Sequence, residues 1–132
     1  MIIEGRDANY WKPFLKEWAK LAKVSQNKFN VEMHKTKKYP SGRFCPAFYH
    51  QQRHFIELWF NPAHLEDCKY VFLHELGHLK QRESKRNKKH MGYGKNFELR
   101  ATKFALSLGC KPEGNYHHVK EALSQDSKGL QK

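Results

Sequence analysis

The stretch Val71-Phe72-Leu73-His74-Glu75-Leu76-Gly77-His78-Leu79 decides how this chain is read. It contains H-E-x-x-H, with His74 and His78 four residues apart and Glu75 beside the first. On a helix, residues i and i+4 lie one above the other on one face, so both imidazoles can reach one ion. Zinc accepts imidazole nitrogen at about 2.0–2.1 Å and in a catalytic site keeps a position for water, whose pKa it lowers to about 7. A glutamate one step round the helix is placed to take that water's proton, which is the chemistry of peptide hydrolysis. A shuffled chain with nine His and ten Glu shows the bare motif about one time in twenty. The weight therefore rests on context. Val71, Phe72 and Leu73 lead into the motif and Leu76 and Leu79 continue it, which is the pattern of a half-buried helix rather than a solvated one.

A catalytic zinc needs a third protein ligand. One candidate is Glu98, twenty residues after His78 on the next expected helix, Phe97 to Leu108, which Asn96 can cap and Gly109 can end. Ala101 and Ala105, one and two turns beyond Glu98, are small enough for the two helices to approach closely. The other candidate is His90, in the basic connection Ser84 to Lys95. The spacing does not choose between them. A continuation with Gly three and His six residues after the second motif histidine is absent, since Gln81 and Ser84 stand there. An oxyanion also needs a donor, and by residue type Tyr93, His90, Tyr116, His117 and His118 qualify.

Upstream of the motif, Phe29, Val31 and Met33 alternate with polar residues, which predicts a strand with one buried face. Further strands are expected from Arg43 to about His50, with Pro46 marking an edge or bulge, and from His54 to Phe60. Short turns between them predict a three-stranded antiparallel meander. If the His54–Phe60 strand forms its open edge, a substrate peptide can add to it. Asn61-Pro62 stops that strand, and Asp67 is a candidate cap for a motif helix from about Glu66 to Glu83. Phe14, Trp18, Leu21 and Ala22 repeat at helical spacing, so an N-terminal helix is expected, starting near Tyr10 to Lys12 because of Pro13. A short last helix is expected from His117 to Ser124. The fold expected is thus one α+β domain over residues 1–124, followed by a frayed tail at 125–132.

Composition narrows the function classes. No run of 18 apolar residues occurs, so no membrane partner is expected, and the N-terminus has no signal-peptide pattern. Cys45, Cys68 and Cys110 are odd in number and far apart, which reads as free thiols in a cytoplasmic protein and argues against a cysteine zinc site. Twenty-five Lys and Arg against thirteen acids give a net charge of +12, so nucleic acid is a candidate partner besides a protein or peptide substrate.

Between Phe55 and Leu108 the chain resembles the gluzincin type of zincin metallopeptidase, in particular the ImmA/IrrE-like domains. The resemblance rests on Asn61, on Phe72 to His78, and on Glu98-Leu99-Arg100-Ala101-Thr102-Lys103-Phe104-Ala105, which is similar to that family's E-x-x-A-x-x-F-A helix. It implies a zincin-like fold, Zn2+ held by His74, His78 and Glu98, and Glu75 as general base. Thr102 departs from the pattern, because related proteins often carry Asn or Asp there. A rival resemblance is to SprT-like peptidases, which act on proteins attached to DNA. It rests on Asn61-Pro62, Tyr70 to Glu75, Gly94 to Phe97 and Leu108 to Cys110. That family places a histidine where Tyr93 stands, so His90 would have to substitute. A third reading is a catalytically silent, zinc-stabilised module that binds nucleic acid or protein.

Overall fold

Every second residue of two seven-residue strands is buried, and those two strands form the middle of the sheet. The computed structural model describes residues 1–47, 52–84 and 95–130. In chain order its elements are β1 (Ile3–Gly5), α1 (Ala8–Leu21), β2 (Phe29–Lys35), β3 (Ser41–Cys45), β4 (His54–Phe60), α2 (Leu65–Glu83), α3 (Lys95–Ser107) and α4 (His117–Leu130). The strand order is β1-β2-β4-β3. β1 and β4 each run parallel to β2, and β3 runs antiparallel to β4.

This mixed sheet corrects the expected antiparallel meander. β2 and β4 are the two strands with full apolar alternation, Phe29, Val31 and Met33 in one and Ile56, Leu58 and Phe60 in the other. Side by side in register, Val31 opposite Ile56 and Met33 opposite Leu58, they bury one continuous face. Parallel pairing needs a crossover, and the chain from Thr36 to Arg53, β3 included, provides it. β3 buries only Phe44 of its five residues, so it stands at the edge, with Pro46 just past its end. β4, which could add a substrate strand only if it lay at an open edge, is internal. β1 was not anticipated. At three residues it is too short for a periodic signal, and it depends on Gly5, whose φ of 101° and contact with the Met33 carbonyl leave no room for a Cβ.

The helices cover the apolar face. α1 starts at Ala8, earlier than expected, and holds Pro13 inside it, at an exposed position. Trp11, Leu15 and Trp18 on its inner side join the core, Trp11 edge-on to Phe60 at 4.8 Å and Trp18 5.5 Å from Phe14. α2 runs through the centre, with Phe72 5.9 Å from Phe29, and Leu73 and Leu76 fully buried. Asn61 caps the short 3-10 turn that precedes α2 by accepting from the Ala63 N–H at 3.1 Å. Asp67 does not cap α2. It is buried and accepts from the Glu113 and Gly114 N–H groups, at 3.1 and 2.7 Å, tying the loop before α4 to α2. Gly109, at φ 90°, follows the end of α3 in the left-handed conformation that favours glycine. α4 extends to Leu130, past the expected end at Ser124. Among the described residues no helix is long and apolar enough to cross a membrane.

Candidate metal centre

The i,i+4 spacing does what helix geometry requires: His74 and His78 project from one side of α2 with ring centroids 4.8 Å apart. α3 brings Glu98 across from the other side. His74 Nε2 lies 2.9 Å from Glu98 Oε2, and His78 Nε2 lies 3.0 Å from Glu98 Oε1. The three residues therefore offer ligand atoms within 4.8 Å of one another. His90 and Tyr93 lie outside the described residues.

Close helix packing makes this convergence. A Cβ on Gly77 would stand 3.0 Å from Ala101 Cα, so α2 and α3 touch nearly backbone to backbone there. Ala101 and Ala105 are fully buried at this contact, in the role their size suggests. A bulkier residue at 77 or 101 would lift Glu98 off the histidines.

The outer nitrogens are also held. His78 Nδ1 is 3.2 Å from Gln81 Oε1, which can only accept, so Nδ1 carries the proton and Nε2 faces the site. Gln81 in turn donates to the Phe97 carbonyl at 2.9 Å, linking α2 to the start of α3. His74 Nδ1 is 3.1 Å from Thr102 Oγ1, which is 3.1 Å from the Tyr70 hydroxyl. Thr102 thus links His74 to Tyr70 through its hydroxyl. Gln81 and Tyr70 were not singled out in the sequence, although the i+3 spacing of Gln81 from His78 is a usable signal.

Electrostatics separates the two glutamates. Burial pushes the Glu75 carboxyl above its ordinary 4.5, and the histidine charges only partly offset this. Glu75 Oε2 is buried and has no hydrogen-bond partner within the protein. For Glu98, burial raises the pKa, but the hydrogen bonds and charges of His74 and His78 outweigh it and hold the carboxyl well below the carboxylate range. For His78, burial lowers the pKa, and Glu98 with the Glu75 charge overrides it to a net upward shift. Burial pushes the Cys68 thiol to about 12 and Cys110 to about 11, so neither supplies a ready thiolate.

A cavity of about 420 Å³ opens over the site, lined by His74, Glu75, His78 and Glu98, by β3 and by Tyr116 to His118. β3 lies directly on the motif: a Cβ on Gly42 would meet Val71 Cγ1 at 2.8 Å and Glu75 Cγ at 3.2 Å. Phe44 stacks over His78 at 6.4 Å. Tyr116 donates to the Pro40 carbonyl at 3.2 Å and closes one side.

Two histidine nitrogens and a carboxylate, with a fourth side open to a cavity, make a donor set and shape suited to zinc. Glu75, with its unpartnered Oε2, lines the same cavity as these three side chains. No protein-family model, curated protein or solved structure matches this chain.

Proposed function

We propose that this protein is a zinc-dependent peptidase of the zincin class, with the deep site formed by His74, His78 and Glu98. The observation that carries the reading is the buried, unpartnered Glu75 Oε2 beside three converging ligand-type side chains at the floor of an open cavity. Bound zinc would supply a water of lowered pKa and polarise the carbonyl to be cleaved.

The chain's own residues do the rest. Among the described residues β3 pairs only with β4, so its outer edge faces the cleft and can hydrogen-bond an extended peptide as a further strand. Glu75 takes a proton from the attacking water as its oxygen adds to the carbonyl carbon. It then returns the proton to the amine nitrogen as the C–N bond breaks. Burial, which raises the Glu75 pKa, suits both steps, because the carboxyl must accept and then release a proton near neutral pH. Thr102 and Gln81 fix the imidazole orientations. The free thiols Cys45, Cys68 and Cys110 support a reducing, cytoplasmic setting.

The exposed lysines of α1, Lys12, Lys16 and Lys20, recur every four residues and favour an anionic partner such as nucleic acid outside the cleft. Such binding weakens steeply with salt and survives Glu75→Gln.

The test of the central reading is cleavage of an unstructured protein by the zinc-loaded chain. Activity that disappears in Glu75→Gln while zinc is retained supports it. Equal cleavage by wild type and Glu75→Gln would overturn it.

A further inference from the structure

α4 opens with His117 and His118 and presents Glu121 one turn later. His117 Nε2 and His118 Nδ1 each stand 3.8 Å from Glu121 Oε2. The three ligand-type atoms lie within 4.8 Å of one another. A separation of 3.8 Å is beyond hydrogen-bond reach. It is close to the roughly 3.4 Å between two corners of a tetrahedron whose bonds are about 2.1 Å long. His118 Nδ1 is buried and lacks a hydrogen-bond partner within the protein, so this nitrogen is available to an ion. His117 and His118 line the same cavity as the deep site.

A third cluster shows the contrast. On the other face of the sheet His34 Nε2 lies 3.0 Å from Glu57 Oε2, and Arg43 lies 3.5 Å from Glu57 Oε1. Those groups already meet one another at contact distance. The α4 cluster keeps the wider spacing that an ion fits.

We propose that His117, His118 and Glu121 form a second divalent-metal site at the mouth of the cleft, taking zinc or a similar borderline ion. Two imidazoles and one carboxylate match that class of metal, and solvent completes the coordination. The site is weaker than the deep one, because the His117 side chain is 81% exposed and must be ordered by the ion. An ion there narrows access to the deep site. That consequence rests on the peptidase reading, whereas the binding itself does not.

The experiment is equilibrium dialysis of the full chain against zinc, with the metal counted per chain and folding checked by circular dichroism. His117→Ala removes a ligand at an exposed side chain, and Glu121→Gln keeps the size of the side chain it replaces, so circular dichroism is expected to match wild type for both. Each is expected to bind one ion fewer than wild type, or to bind the weaker ion at least about tenfold less tightly. Glu98→Ala is expected to keep the weaker ion. Because the result is a difference between variants, it reads the rim site whether or not the deep site takes metal. Zinc binding by His117→Ala and Glu121→Gln that matches wild type in number and affinity would overturn the proposal. In a peptidase assay, excess zinc should inhibit wild type at concentrations that do not lower His117→Ala below its own activity at one equivalent of zinc; equal fractional inhibition of both would overturn obstruction by the rim ion.

Discussion

Glu75 and Glu98 are the same amino acid lining one cavity, yet their surroundings push them in opposite directions. Glu75 is buried with an orphaned oxygen, and Glu98 is clamped between two imidazoles. The Glu75→Gln variant should therefore lose about 10²- to 10⁴-fold in turnover, the usual worth of a general base, while still binding zinc. The same change should raise the thermal midpoint of the metal-free protein at neutral pH. An acid whose folded pKa is raised destabilises the fold above its ordinary 4.5, and a glutamine does not ionise. The clamp has its own signature. Glu98, with its lowered pKa, contributes stability above 4.5 that is lost as pH falls further. His78, with its raised pKa, contributes stability below 6.5 that is lost as pH rises through its folded value. Denaturant titration of the metal-free protein should find this contribution largest between those limits and reduced in Glu98→Gln, where Glu75 and Gln81 still act on His78. Thr102 is the side chain that supports His74 from α3. Its hydroxyl lies at hydrogen-bond distance. Thr102→Val should weaken zinc binding by about 10- to 100-fold, with Thr102→Ser recovering most of it, as a metal-competition assay would read.

At the scale of elements, the decisive contact is α2 against α3. Gly77→Ala sets two effects against each other. Alanine gains about 1 kcal/mol of helix propensity, but a Cβ pressed on Ala101 costs about 1–3 kcal/mol by overpacking. The contact is with backbone, which yields least, so net destabilisation and weaker zinc binding are expected together. Calorimetry and metal competition check each half. The elements also show what could be read in advance. The α2 motif, the alternation of β2 and β4 and the stop at Gly109 each have a local period or cap. The pairing of β2 with β4 does not. It follows from a competition among strands for the buried middle, and β3, with Phe44 alone buried, loses that competition. Sequence order suggested that neighbours pair, which holds for β3 with β4, while for β2 burial decided otherwise. Asp67 shows the same limit. An acid at a helix start reads as a cap, but its partners are N–H groups of Glu113 and Gly114, far along the chain.

At the scale of the whole molecule, one face of a mixed sheet carries the helices, and the candidate centre sits where α2, α3, β3 and the start of α4 meet. His74, Glu75 and His78 were legible as a group in the sequence because their spacing is local, whereas Glu98 was one of two candidates that spacing left open. The cleft wall was not legible, because β3 and the α4 histidines reach it only through tertiary packing. Everything functional in this reading depends on an ion at the deep site. The most direct test is zinc-edge X-ray absorption on the His117→Ala protein loaded with one equivalent of zinc, so that the rim cluster is silent. The account predicts two imidazole nitrogens at about 2.0–2.1 Å and carboxylate oxygen at about 2.0–2.2 Å, with the oxygen contribution reduced in Glu98→Ala. Failure to retain zinc, or a shell containing sulfur at about 2.3 Å, would contradict it.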